Sequence, residues 1–144
     1  MSEGIFYYTP LKVSVEHIYQ LSKILGFKDD VYYDRKEAQN QGYADILAPP
    51  TFMTLVDYSN DKDLYQMFEA LNIDGSKVLH GEQSYDYLQP VVSGDTLEAE
   101  ARVIDKVDKG DKRFYKVRTD YYNQSGNRVV VGEATYIELD VRDE

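Results

Sequence analysis

The chain has 144 residues, a length for one domain, and carries 16 basic against 26 acidic residues for a formal net charge of −10. That balance opposes a phosphate backbone and excludes a nucleic-acid partner. The absence of cysteine excludes disulfides, iron–sulfur clusters and cysteine-bound zinc.

A single domain over residues 1–144 is expected, long enough to bury roughly 70% of its unfolded surface. The start, MSEGIFYYTP, has neither the basic region nor the apolar run of a secretory leader. No apolar segment approaches the ~18 residues that cross a bilayer. A cytoplasmic protein without a membrane partner is therefore expected. Fourteen tyrosines and no tryptophan favour strands and a subunit interface.

Ile5 to Tyr8 reads as a short strand or extended arm, interrupted at Thr9-Pro10. Ser14 then caps a helix from Val15 to Leu25, with Glu16 in its first turn and Gly26 just past its end. Val15, Ile18, Leu21 and Leu25 recur at helical spacing. Residues 27–33 read as loop. Asp34 with Glu37 three residues later marks a short helix ending near Gln41-Gly42. After Pro49-Pro50, Thr51 is placed to cap a helix through Phe52, Leu55 and Val56. Asn60 or Asp61 opens another, with Leu64, Met67, Phe68 and Leu71 on one face.

From Val78 the period changes to two. Leu79 to Leu97, LHGEQSYDYLQPVVSGDTL, reads as strand, turn and strand, and an antiparallel pair is expected. Leu97, Ala99, Ala101 and Val103 share a face, and Ile104 breaks the phase, a bulge signal. Residues 108–111 form a hairpin loop, Phe114 to Tyr122 a strand and Val129 to Leu139 the last strand. On that last strand Val130, Gly132, Ala134 and Tyr136 share a face, where Gly132 and Ala134 permit close packing, a helix backbone included.

His80-Gly81-Glu82-Gln83, Gln89-Pro90-Val91, Gly94-Asp95-Thr96 and, upstream, Ala48-Pro49-Pro50-Thr51-Phe52 fall in the order found in MaoC-like dehydratases and hydratases. The chain resembles that family, and within it the fungal-fatty-acid-synthase-type N-terminal dehydratase domain and the non-catalytic subunit of the mycobacterial hydroxyacyl dehydratase. The resemblance implies an α+β hotdog fold, a curled antiparallel sheet around a central helix, working as a dimer. It implies chemistry on 3-hydroxyacyl and trans-2-enoyl thioesters, by an aspartate and a histidine five residues apart. Such a pair supplies the base for the proton beside the carbonyl and the acid for the leaving hydroxyl.

At the matching positions stand Phe27 and Tyr32. A tyrosine with an ordinary pKa of about 10 is a poor base at neutral pH. The resemblance thus implies a subunit that binds acyl-CoA or an acyl carrier protein thioester, weakly active or inactive alone, with a partner hotdog subunit supplying catalysis. Its thioester contacts map to Tyr32, Tyr33, Pro49, Pro50, Thr51, Gly81 and Glu82. Pro49-Pro50-Thr51 stands at the start of the central helix, where a thioester oxygen or phosphate is favoured. The acidic surface disfavours docking of an acyl carrier protein, itself acidic.

His80 and Asp29 remain as candidate catalytic groups. His80 reads either as a tunnel residue or base with Glu82 on the same strand face, or as a structural histidine bonded to backbone or carboxylate. His17 takes no role. No metal-ligand spacing, glycine-rich phosphate loop or cofactor motif is present. Three alternatives stay open: an active hydratase or dehydratase using His80 with Glu82 or Asp29, an acyl-CoA thioesterase on the same fold, and a structural or ligand-sensing module.

Overall fold

The computed structural model describes residues 4–141; the ends of the expected 1–144 domain, residues 1–3 and 142–144, lie outside the described residues. The elements run β1 (Phe6–Tyr7), β2 (Leu11–Lys12), α1 (Val15–Leu25), a 3-10 turn (Asp30–Tyr32), α2 (Arg35–Asn40), α3 (Met53–Tyr58) and α4 (Asp61–Ala70). A second 3-10 turn (Gly75–Lys77) precedes β3 (Val78–Tyr87), β4 (Thr96–Lys109), β5 (Lys112–Tyr122) and β6 (Arg128–Glu138). The strands form one antiparallel sheet in the order β1-β4-β5-β6-β3, with β2 paired to the start of β4.

The local signals in the first helix are realised. Ser14 Oγ accepts from the His17 N–H at 3.1 Å. Gly26 adopts φ 78°, while its N–H and that of Phe27 donate to the carbonyls of Lys23 and Ser22. These two bonds satisfy carbonyls left over at the helix end. The apolar face is less buried than its spacing suggests: Ile18 is fully buried, whereas Val15 and Leu25 stay exposed, so the helix packs through its middle. At the next helices Asp34 and Asn60 cap through the N–H groups of Lys36 and Lys62.

The central helix α3 has only six residues, and Thr51 does not cap it. Phe52 holds the cap position in helical backbone conformation, with no side-chain cap bond. The Thr51 carbonyl accepts from both the N–H and the hydroxyl of Thr54. Phe52, Met53 and Val56 turn into the core against the inner face of the sheet. That face is built by Leu97, Ala99, Ala101 and Val103 of β4 and by Val130, Ala134 and Tyr136 of β6.

The expected pairing of the two strands around Pro90 does not occur: β3 pairs with β6, and β4 with β5 and β1. The linking residues 88–95 make their backbone bonds elsewhere. The Leu88 N–H donates to Val129 O, the Val91 carbonyl accepts from the Ala48 N–H, and the Ser93 and Gly94 N–H groups donate to Ile46 O and Val13 O. Pro90 cannot extend a ladder. The segment therefore crosses the end of the sheet and places β3 at the far edge.

The bulge at Ile104 is present as a register slip between Val103 and Asp105. The following hairpin is tighter than expected, since β4 and β5 pair up to Lys109 and Lys112 and leave Gly110, at φ 61°, and Asp111 as the turn. On β6, the space over Gly132 is taken by tyrosine rings rather than a helix backbone. A Cβ there would meet Tyr121 at 3.2 Å and Tyr85 at 3.3 Å.

Candidate functional site

A cleft of about 280 Å³ opens between the first 3-10 turn, the segment before α3 and the end of β3. Tyr32, Tyr43, Leu47, Pro50, Tyr87 and Leu88 form most of its wall. Two backbone features hold Tyr32 over it. Asp29 caps the 3-10 turn by accepting from the Val31 N–H at 3.1 Å, and the Leu47 N–H donates to Val31 O at 2.9 Å. Tyr32 stacks on Phe27, with centroids 5.2 Å apart and planes 26° apart. Burial, then the nearby Asp29 carboxylate, pushes the Tyr32 phenol further above its ordinary pKa. Phe27 and Tyr32 thus form an aromatic stack that holds no proton carrier near neutral pH.

Tyr87 closes the inner side of the cleft by donating its hydroxyl to Pro50 O at 2.7 Å. Pro49 is buried behind that contact. Of the expected thioester contacts, Tyr32 and Pro50 line the cleft. Tyr33 instead donates to Phe27 O and packs edge-on against Tyr19, and Thr51 is exposed.

His80 lies in a separate hollow of about 160 Å³, with Tyr58, Tyr65, Phe68 and Tyr136, that shares no lining residue with the cleft. Its tautomer follows from its neighbours. The Gln83 amide donates to the carbonyls of Ser84 and Glu133 at 3.2 and 3.3 Å. Its Oε1 therefore accepts from His80 Nε2 at 3.1 Å. Nδ1 is then the acceptor for the Tyr58 hydroxyl at 3.2 Å, and Tyr58 in turn accepts from Tyr136 at 2.7 Å. The ring also stacks on Tyr136 at 5.0 Å. Both nitrogens are engaged, although the residue itself is exposed.

Glu82 is not on the same face as His80. The register slips between them, with His80 opposite Tyr136 and Glu82 opposite Thr135, so Gly81 is the bulged residue and Glu82 turns outward beside Lys116 and Glu133. Asp29 and His80 are not brought together, since one caps the turn at the cleft and the other borders the separate hollow.

The sequence reading missed Asp57. It stands on α3 and is 6% exposed. One carboxylate oxygen accepts from the Tyr85 hydroxyl at 2.8 Å and the other from the Tyr121 hydroxyl. Burial raises its pKa to about 6 against the opposing pull of the two hydroxyls. The tyrosines are pushed up in turn by burial and by the carboxylate. It directly follows the stretch from Phe52 to Val56, and nothing local sets it apart from a solvated acid.

A family model described as FAS1-like, dehydratase domain region, matches residues 6–131. A UPF0336 protein of Streptomyces avermitilis is 31% identical over 121 residues, spanning 84% of this chain and 80% of the relative. Among solved structures, the C-terminally truncated HadBC (3R-hydroxyacyl-ACP dehydratase) complex from Mycobacterium tuberculosis superposes with a TM-score of 0.82 at 19% identity, covering 93% of this chain and 94% of that one. The R-hydratase PhaJ1 from Pseudomonas aeruginosa gives 0.70 at 20% identity, covering 96% and 81%. At these identities the structural likenesses show a shared fold.

Proposed function

Since the chain belongs to the FAS1-like dehydratase-region family and has the hotdog fold of MaoC-like dehydratases, we propose that it is a subunit that binds acyl thioesters in the Tyr32–Tyr87 cleft and leaves proton transfer to a partner. The observation that carries this reading is the Phe27–Tyr32 stack, at the positions where the sequence resemblance implies an aspartate and a histidine. The cleft suits an acyl thioester because its walls are largely apolar and aromatic, with a few hydroxyl and carbonyl groups to orient a polar end.

The subunit is a dimer, with a second copy or with a catalytic hotdog subunit. Support comes from β3, which among the described residues pairs on one side only, with β6, and ends the sheet. An open strand edge is a template for another chain. The similar HadBC fold comes from a complex.

The test is hydration of crotonyl-CoA by the purified chain, beside a His80→Ala variant. No turnover is expected from either. Turnover lost in the variant would make His80 the base and this chain a hydratase in its own right. Release of free thiol from an acyl-CoA would instead place it among thioesterases.

A further inference from the structure

We propose that Asp57, Tyr85 and Tyr121 form a polar end wall that restricts the cleft to short acyl groups. This rests on the reading of the cleft as the acyl-thioester site.

Tyr87 and Tyr85 are two residues apart on the inner face of β3, hence about 7 Å apart along the strand. Tyr87 borders the cleft and bonds to Pro50, just before α3. Tyr85 bonds to Asp57, near the other end of α3. A chain growing inward between the helix and β3 would first part Tyr87 from Pro50. It would then meet a carboxylate whose two oxygens are each held by a tyrosine hydroxyl.

An alkyl tail offers nothing to replace those bonds, and a buried polar group stripped of its partner is strongly unfavourable. Space does not help either. The rings of Tyr85 and Tyr121 close over Gly132, where even a methyl group would stand 3.2–3.3 Å from them. The cleft outside the Tyr87–Pro50 contact, about 280 Å³ and lined by none of the three wall residues, lies just below the range of roughly 300–1,000 Å³ that takes drug-sized ligands. A purely apolar channel would reward each added methylene; here the reward ends at the wall.

Calorimetric titration of the full chain with butyryl-CoA and with dodecanoyl-CoA below its micelle concentration tests the wall. The wild type is expected to bind the short ester at least about tenfold more tightly. The triple variant Asp57→Leu, Tyr85→Phe, Tyr121→Phe is expected to narrow that ratio at least about tenfold by gaining affinity for the long ester. Should the triple variant fail to fold, Tyr85→Phe alone, which keeps the ring, is expected to shift the ratio in the same direction. Equal or tighter binding of dodecanoyl-CoA by the wild type overturns the proposal, as does an unchanged ratio in a folded variant. Both of those results leave the thioester reading standing. Binding of neither ester removes that reading, and the wall with it.

Discussion

Burying Asp57 makes the stability of this chain depend on pH in a definite direction. The carboxyl is raised from its ordinary value of 3.8 to about 6 in the folded state, so the folded chain binds a proton that the unfolded chain releases between those values. The resulting stabilisation is fully present below the unfolded pKa and is lost as pH rises through about 6. Asp57→Asn removes the titration at nearly constant shape. The unfolding free energy of the wild type is therefore expected to gain about 1–1.5 kcal/mol on the variant between about pH 7.5 and pH 5, at roughly 1.4 kcal/mol per pKa unit. Urea denaturation of both proteins across that range reads this difference directly and cancels the response of the other carboxylates. A flat difference would show that Asp57 does not titrate there. His80 was visible in the sequence because histidine is rare in it. Asp57 was not, because nothing local distinguishes a buried acid from a solvated one. Its partners come from β3 and β5, 28 and 64 positions away.

Helix ends are written in a few neighbouring residues, which is why Ser14 and Gly26 mark α1 correctly. Bulges and strand order are less local. Ile104 betrays its bulge by breaking an alternation, whereas the bulge at Gly81 interrupts a mixed polar run and leaves no such trace. The separation of β3 from β4 depends on residues 88–95 binding backbone from Val13, from Ile46 to Ala48 and from Val129. The two strand glycines give contrasting tests of this layer. A Cβ on Gly132 would press on the rings that hold Asp57. Gly132→Ala is expected to destabilise by about 1–3 kcal/mol, the usual range for overpacking. A Cβ on Gly81 would come within 2.9 Å of Ile137 Cδ1, the end of a flexible side chain that can swing away. Gly81→Ala is expected to change stability by less than about 1 kcal/mol. Chemical denaturation of the two variants measures both, and equal losses would contradict the ring-packing argument.

At the level of the whole molecule, an open edge and a large negative charge act in opposition. β3 is ten residues long and its outer edge is unpaired among the described residues, with Leu79 exposed near one end and Leu88 just past the other. Pairing two such edges would satisfy their backbone groups and cover both leucines. Each copy nevertheless carries a formal charge of −10, so a pair of identical chains forms against mutual repulsion, while a less acidic partner does not meet that cost. Salt separates the two terms, because it screens surface charge within about 10 Å at 0.1 M and leaves strand pairing intact. Sedimentation of the purified chain at micromolar concentration is therefore expected to show twice the 16.7 kDa mass, with the dimer fraction rising from about 0.05 M to 0.5 M salt. A dimer weakened by salt would mean that ion pairs across the interface, not the strand edge, hold it. A single-copy mass at both ionic strengths would rule out the homodimer and direct the open edge of β3 to a different, less acidic subunit.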